Sequence, residues 1–323
     1  MINTSILYSL PIKSKETKEP IVMAVKCRVK TMLSGLFVAL FVVSCGTTRE
    51  PESGQQVSVS IPAMAYFVER LTPDSIEVNV MVPQSVGHSD YTLRPSQLTL
   101  LTHSRAYFAL GNLDFELSWR EKMLSVATNM QWCDMSSGVQ LINGGCNHSH
   151  QCEHHHATDP HYWLSPKQVR HIINNMASVL VDLNISSQQY TDSAKNVLLS
   201  EVDVWNSRFD SLASNGKNLS FMIYHPSLSY LARDYGMTQY EIEKEGNAPT
   251  PKSMIEEIEK SVADSVGIVF VQQGYDIQKA ESAAQEIGAE VIEIAPDGYD
   301  WNATMTTLYN ALKNDKTNAC STR

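Results

Sequence analysis

Six of the ten histidines in this chain lie between His148 and His161. Neutral imidazole is the commonest protein ligand for zinc, so metal capture is the first chemistry this pattern brings to mind. His148, His150, His154, His155 and His156 occupy the polar tract NHSHQCEHHH at 147–156, which has no helical or strand period. Binding there must order the chain each time, so these five form an accessory, exchangeable metal loop. The alternative is a solvated low-complexity segment without a role. His161 has a different setting. It sits in Asp159-Pro160-His161-Tyr162-Trp163-Leu164-Ser165-Pro166, where prolines and aromatics fix the backbone. Rigidity is what a tight, geometry-selective site requires. His88 follows a strand ending at Pro83, and His225 follows an apolar strand over 219–224. The carboxyl ends of strands are where ligands bind in α/β sheets, so His88, His161 and His225 could converge in a cleft.

Alternating short strands and helices must position these residues. Strand patterns occur at 57–62, 75–82, 106–110 and 139–142, with helical patterns at 63–71, 94–103 and 114–127. The series resumes with strands at 219–224, 239–242, 267–271 and 290–294 and helices at 227–235, 251–263, 277–287 and 302–313. Such alternation predicts parallel α/β layers. Between the two series no Gly or Pro interrupts residues 187–213, where Tyr190, Ala194, Val197, Trp205, Phe209 and Leu212 keep helical spacing. The expected fold is α/β: two Rossmann-like lobes, 57–185 and 215–314, joined by one long backbone helix at 187–213.

A chain of 323 residues with 43% apolar and 19% charged side chains is long enough for two domains and too poorly charged to be disordered. Of 25 basic and 35 acidic side chains, six basic and two acidic fall in residues 1–44, leaving 19 against 33 downstream. That acidic balance argues against a nucleic-acid partner. Residues 32–43 form a short apolar run behind Lys26, Arg28 and Lys30. It is too short to span a bilayer comfortably and has the layout of a secretory signal. Val42-Val43-Ser44-Cys45 resembles a lipobox, which makes 1–44 a lipoprotein signal peptide, Cys45 the lipidation site and 45–56 a flexible tether. Cys133, Cys146, Cys152 and Cys320 remain beyond it. Cys146 and Cys152 could close a short disulfide around the histidines or serve as soft metal ligands, and spacing does not choose.

Several motifs together resemble the ZnuA/TroA-like (cluster A-I) metal-binding lipoproteins of ABC transporters, over roughly Val57 to Lys313. Asp159-Pro160-His161-Tyr162-Trp163-Leu164-Ser165-Pro166 is the most specific of them. Asp90-Tyr91-Thr92-Leu93-Arg94-Pro95-Ser96, the Gly111 to Trp119 turn with Glu116, Tyr224-His225-Pro226 through Tyr230 with Tyr235-Gly236, and Pro249-Thr250-Pro251-Lys252 are similar to further family elements. A His-rich insertion ahead of His161 is characteristic of the zinc-specific branch. The resemblance implies a metal site in the interlobe cleft held by His88, His161 and His225, with Asp300 as a possible fourth ligand. Two positions depart from the family pattern. His88 comes one residue before the place where the family's first histidine aligns, at Ser89, and Gln272 stands where many members carry glutamate.

The function so implied is the zinc-binding component of an ABC-type uptake system, not an enzyme. It would capture Zn2+ outside the inner membrane and deliver it to a permease with its ATPase. The chain would be a monomer, anchored through Cys45 and facing the periplasm or the cell surface. Three imidazoles and at most one carboxylate favour zinc over manganese, which prefers more oxygen ligands. Alternatives are a manganese- or iron-binding homologue, a zinc-dependent adhesin or metallochaperone and, remotely, a zinc hydrolase. No His-Glu-x-x-His occurs.

Overall fold

Short β-branched and aromatic runs alternating with amphipathic helices build two four-stranded sheets, both wholly parallel. The computed structural model describes residues 56–84, 86–87, 91–143, 158–214, 219–243 and 250–315. Cys45, His88, the histidines at 148–156, Cys146, Cys152 and Cys320 lie outside the described residues. The first lobe runs β1 (Gln56–Val59), α1 (Pro62–Leu71), β2 (Glu77–Val80), α2 (Pro95–Leu101), β3 (Ser104–Ala109), α3 (Asp114–Val126) and β4 (Gln131–Asp134). Its strand order is β2-β1-β3-β4, with Val57 beside both Val78 and Ala106. A 3-10 turn at Tyr162–Leu164, then α4 (Pro166–Asp182) and α5 (Gln188–Ala213), leads to the second lobe. That lobe runs β5 (Ser220–Ile223), α6 (Ser229–Tyr235), β6 (Thr238–Glu241), α7 (Pro251–Ala263), β7 (Ile268–Gln272), α8 (Ile277–Ile287), β8 (Glu290–Ile294) and α9 (Trp301–Asn314). Its order, β6-β5-β7-β8, repeats that of the first.

Two expectations need correction. Residues 139–142 do not form a strand; the fourth strand of the first lobe is β4, paired on one side only, to β3. Its short sequence QWCD exposes Gln131 and Asp134, so its apolar signal is weak. The apolar face of α5 is only partly the one read from spacing: Trp205 and Phe209 are buried and Ala194 and Leu212 pack against the core. Tyr190 and Val197 are exposed, at 42% and 57%, while Leu198, Val202, Trp205 and Phe209 point inward at steps of three and four. The 26 residues of α5 span roughly 39 Å at ~1.5 Å per residue. Ser187 caps it by accepting from Tyr190 N at 3.3 Å.

The lobes share one core. A continuous buried cluster takes in Val57 and Phe108 from the first sheet, Ile172 and Met176 from α4, Trp205 and Phe209 from α5, and Phe221, Phe270, Trp301 and Leu308 from the second lobe. A smaller cluster, with Val269, Val271 and Ala283, lies under α8. Polar contacts reinforce this docking: Asp234 of α6 accepts from Ser165 Oγ and Gln168 Nε2, each at 2.6 Å.

One buried carboxylate orders the end of the first sheet. Glu116 accepts from Leu110 N at 2.8 Å, from Gly111 N at 2.5 Å and from the Ser60 hydroxyl. Gly111 turns there at φ 89°, and a Cβ would stand 2.6 Å from Asp134 Oδ1, so glycine is required twice over. Burial pushes the Glu116 carboxyl up to about 7, against the hydrogen bonds that pull it down.

Candidate metal centre

Strand ends and the turns after them deliver the candidate ligands. His225 lies just beyond β5, Asp297 three residues beyond β8, and Gln272 at the end of β7. His161 arrives from the first lobe at the entrance to the 3-10 turn. All four line one cavity of about 30 Å³, together with Gln84, Gly87, Ser227 and Tyr275. That space suits a single ion rather than an organic solute.

Each histidine is oriented by a carboxylate. Asp159 Oδ1 accepts from His161 N and stands 2.9 Å from His161 Nδ1, so one oxygen fixes both backbone and ring. Asp159 is held in turn, its carbonyl accepting from Tyr230 OH at 2.6 Å. Burial works to raise the Asp159 carboxyl, yet the hydrogen bonds and charge of His161 together outweigh it and keep the group below its usual value. Glu243 Oε2 does the same work on His225 Nδ1, at 2.9 Å. This carboxylate–imidazole arrangement fixes the tautomer and raises the basicity of the opposite nitrogen. The two rings meet edge to face with centroids 5.3 Å apart, and His225 stacks on Tyr275.

Two polar atoms in this cavity stand out. His225 Nε2 and Asp297 Oδ1 are buried and have no hydrogen-bond partner among the described residues. A buried group left unmatched costs about 1–3 kcal/mol, so two such atoms in one cavity call for a partner, a water or an ion. Burial pushes Asp297 up to about 6, while the nearby His161 and His225 work to lower it. Among the described residues no three His, Cys, Asp or Glu side chains gather into a complete metal centre. His88 itself lies outside those residues.

Asp300 does not line the cavity. Its Oδ1 accepts from Ala303 N at 2.9 Å, capping α9 on the exposed surface. Asp297, three residues earlier, lines the cavity instead. The strand-end rule that selects His225 also selects Asp297, since it follows β8 more closely than Asp300 does. Asp159 and Glu243 were equally legible in type but not in role, because hydrogen bonding to a ring nitrogen leaves no mark in spacing. Gln272 clamps His225 from behind. Its amide donates to His225 O at 2.5 Å and to Ser227 Oγ at 2.9 Å, and its oxygen accepts from His225 N at 3.3 Å. An amide offers both donor and acceptor there, which a carboxylate cannot. Cys133 is a buried free thiol in β4, pushed up to about 11 by burial and remote in sequence from these loops.

Residues 57–315 match the family described as "Zinc-uptake complex component A periplasmic", ZnuA. The chain belongs to this family. A putative metal-binding protein of Chlamydia trachomatis serovar D is 24% identical over 232 residues, covering 71% of this chain and 80% of that one. The high-affinity zinc uptake system protein ZnuA of Bacillus subtilis is 23% identical over 278 residues, covering 80% and 86%. A crystal structure of ZnuA shares 28% identity at a TM-score of 0.72, over 80% of this chain and 98% of that one. A zinc-bound ZnuA lacking 138–173 of its own numbering gives 0.73, also at 28% identity, over 80% and 97%. A manganese-bound periplasmic protein of Candidatus Liberibacter asiaticus, at 16% identity and 0.68, covers 80% and 99% and shows the same fold. The two-lobed α/β architecture is therefore that of a periplasmic solute-binding family. Among the described residues no helix is long and apolar enough to cross a membrane.

Proposed function

We propose that the chain captures zinc in the interlobe cavity through His161, His225 and Asp297, with His88 completing the set, and carries it to an ABC permease and its ATPase. The observation that carries this reading is the pair of unmatched buried atoms, His225 Nε2 and Asp297 Oδ1, facing one ion-sized space. Drawing Asp297 and the His88 loop onto the same ion as the histidines calls for a local adjustment within the cavity. Imidazole-rich, four-coordinate sets favour zinc, whereas manganese takes more oxygen ligands and a larger shell. The reading is of a carrier that works as a monomer and not of a hydrolase, and family membership supports the carrier part. Anchoring through Cys45 on the outer side of a membrane accords with that family's periplasmic placement.

Calorimetry with a competing chelator tests the site. Replacing His161, His225 or Asp297 by alanine should remove the tight zinc site, a loss reaching toward roughly 12 kcal/mol if the site is nanomolar. Zinc binding at parental strength in any of the three would remove that residue from the set. Manganese titrated in parallel should bind far more weakly; equal binding would favour the manganese reading.

A further inference from the structure

Two tryptophans join the ligand loops of opposite lobes. Trp163 lies two residues beyond His161, and Trp301 opens α9 four residues beyond Asp297. Trp163 Nε1 donates to Pro296 O at 2.9 Å, at the peptide that leads into Asp297. Trp301 Nε1 donates to Trp163 O at 2.8 Å, reaching back to the His161 turn. The backbone of Asp297 is tied once more, its carbonyl accepting from Ala63 N of α1 at 3.2 Å. Both indoles are fully buried, at 0% and 1% exposure, and Trp301 packs on Phe67 with ring centroids 5.6 Å apart. The bond from Trp301 is buried, so a Trp163 carbonyl that loses it has no water to replace it, whereas Pro296 O is half-buried at the cavity edge.

From this reciprocal linkage we infer that Trp163 and Trp301 act as a clasp that limits how far the His161 and Asp297 loops can move apart before any metal arrives. They are positioning residues, since neither side chain lines the cavity. The consequence is selectivity. A zinc site tolerates little error in ligand placement, and a clasped pair of loops resists opening to a wider coordination shell. A slackened pair would accommodate a larger shell at less cost, so the clasp penalises manganese relative to zinc. This inference rests on the zinc-binding reading of the same site, but the linkage itself makes a claim about the metal-free protein.

Three indole N–H donors can be removed in the same way: Trp163→Phe, Trp301→Phe and, as a chemically matched control, Trp205→Phe. Trp205 donates to Asn302 Oδ1 at 2.7 Å from α5, and so does not bond to a carbonyl of the 158–164 or 295–301 segments through its indole. Amide hydrogen exchange on the full metal-free chain reads the clasp directly. Both clasp variants should raise exchange at 158–164 and 295–301 together, while the control leaves those segments as in the parent. Zinc and manganese titrations then read selectivity. The clasp variants should lose about tenfold to hundredfold in zinc affinity, with a smaller loss for manganese, so that the ratio narrows. Unchanged exchange in 158–164 on removing the Trp301 donor overturns the clasp, whatever the metal does. An unchanged zinc-to-manganese ratio, or one equally changed by Trp205→Phe, overturns its role in selectivity. A parent chain that binds neither metal while its exchange responds as expected would instead overturn the zinc reading and with it selectivity, leaving the linkage.

Discussion

At the residue scale, the carboxylates behind the imidazoles decide how well the site holds its ion. Glu243 and Asp159 each fix one ring nitrogen, and such partners are worth about tenfold to hundredfold in metal affinity. Glu243→Gln should therefore weaken zinc by about tenfold or more without unfolding the protein, as read by chelator competition. Glu116 makes a separate prediction about stability. Its folded value near 7 lies above its ordinary 4.5, so between these pH values the folded chain holds a proton the unfolded chain has lost. Stability should fall as pH rises across that window, by roughly 3 kcal/mol in total, and this contribution should be flat on either side. Urea unfolding at pH 4.5 to 8 should show that slope in the parent and a flatter one in Glu116→Gln; parallel curves would contradict it.

At the element scale, α9 separates two aspartates that sequence places almost together. Asp300→Ala removes an N-cap and should cost about 1 kcal/mol of stability while leaving zinc affinity intact. The same titration on Asp297→Ala should lose the site. Much of the arrangement was legible beforehand. The bounds of α7, α8 and β8 agree with the pattern, Asp276 caps α8 as expected, and the strand–helix alternation gives both sheets. What was not legible has physical causes. β4 presents two exposed residues out of four and so lacks an alternating signal. The helix α4 carries Val169, Ile172, Ile173, Met176 and Leu180 on one face behind Pro166, an apolar period that is legible in the sequence. Helical spacing on α5 could not tell that Tyr190 and Val197 face outward while Leu198 and Val202 face the core, since that choice is made by α1, α4 and α9. The roles of Asp159, Glu243 and the two tryptophans depend on contacts far apart in sequence or on hydrogen bonds, neither of which has a period.

At the scale of the whole molecule, a shared core and the α4–α6 contacts bind the lobes into one unit. Thermal unfolding should therefore be a single cooperative transition, and zinc should raise its midpoint, by about 2.7 kcal/mol of stabilisation at a free concentration of 100 Kd. Deleting 147–156 should leave this response in place and abolish only a weaker class of zinc sites, which empty as pH falls toward about 5 because imidazoles there regain protons near 6.5. Loss of the tight response on deletion would make the histidine loop part of the primary site. The central claim is tested most directly by zinc-edge anomalous diffraction from crystals grown with one equivalent of zinc. The expected result is one strong peak within coordination distance of His161, His225 and Asp297, with Asp300 still capping α9. A peak elsewhere, or one ligated by Asp300 in place of Asp297, would contradict this account.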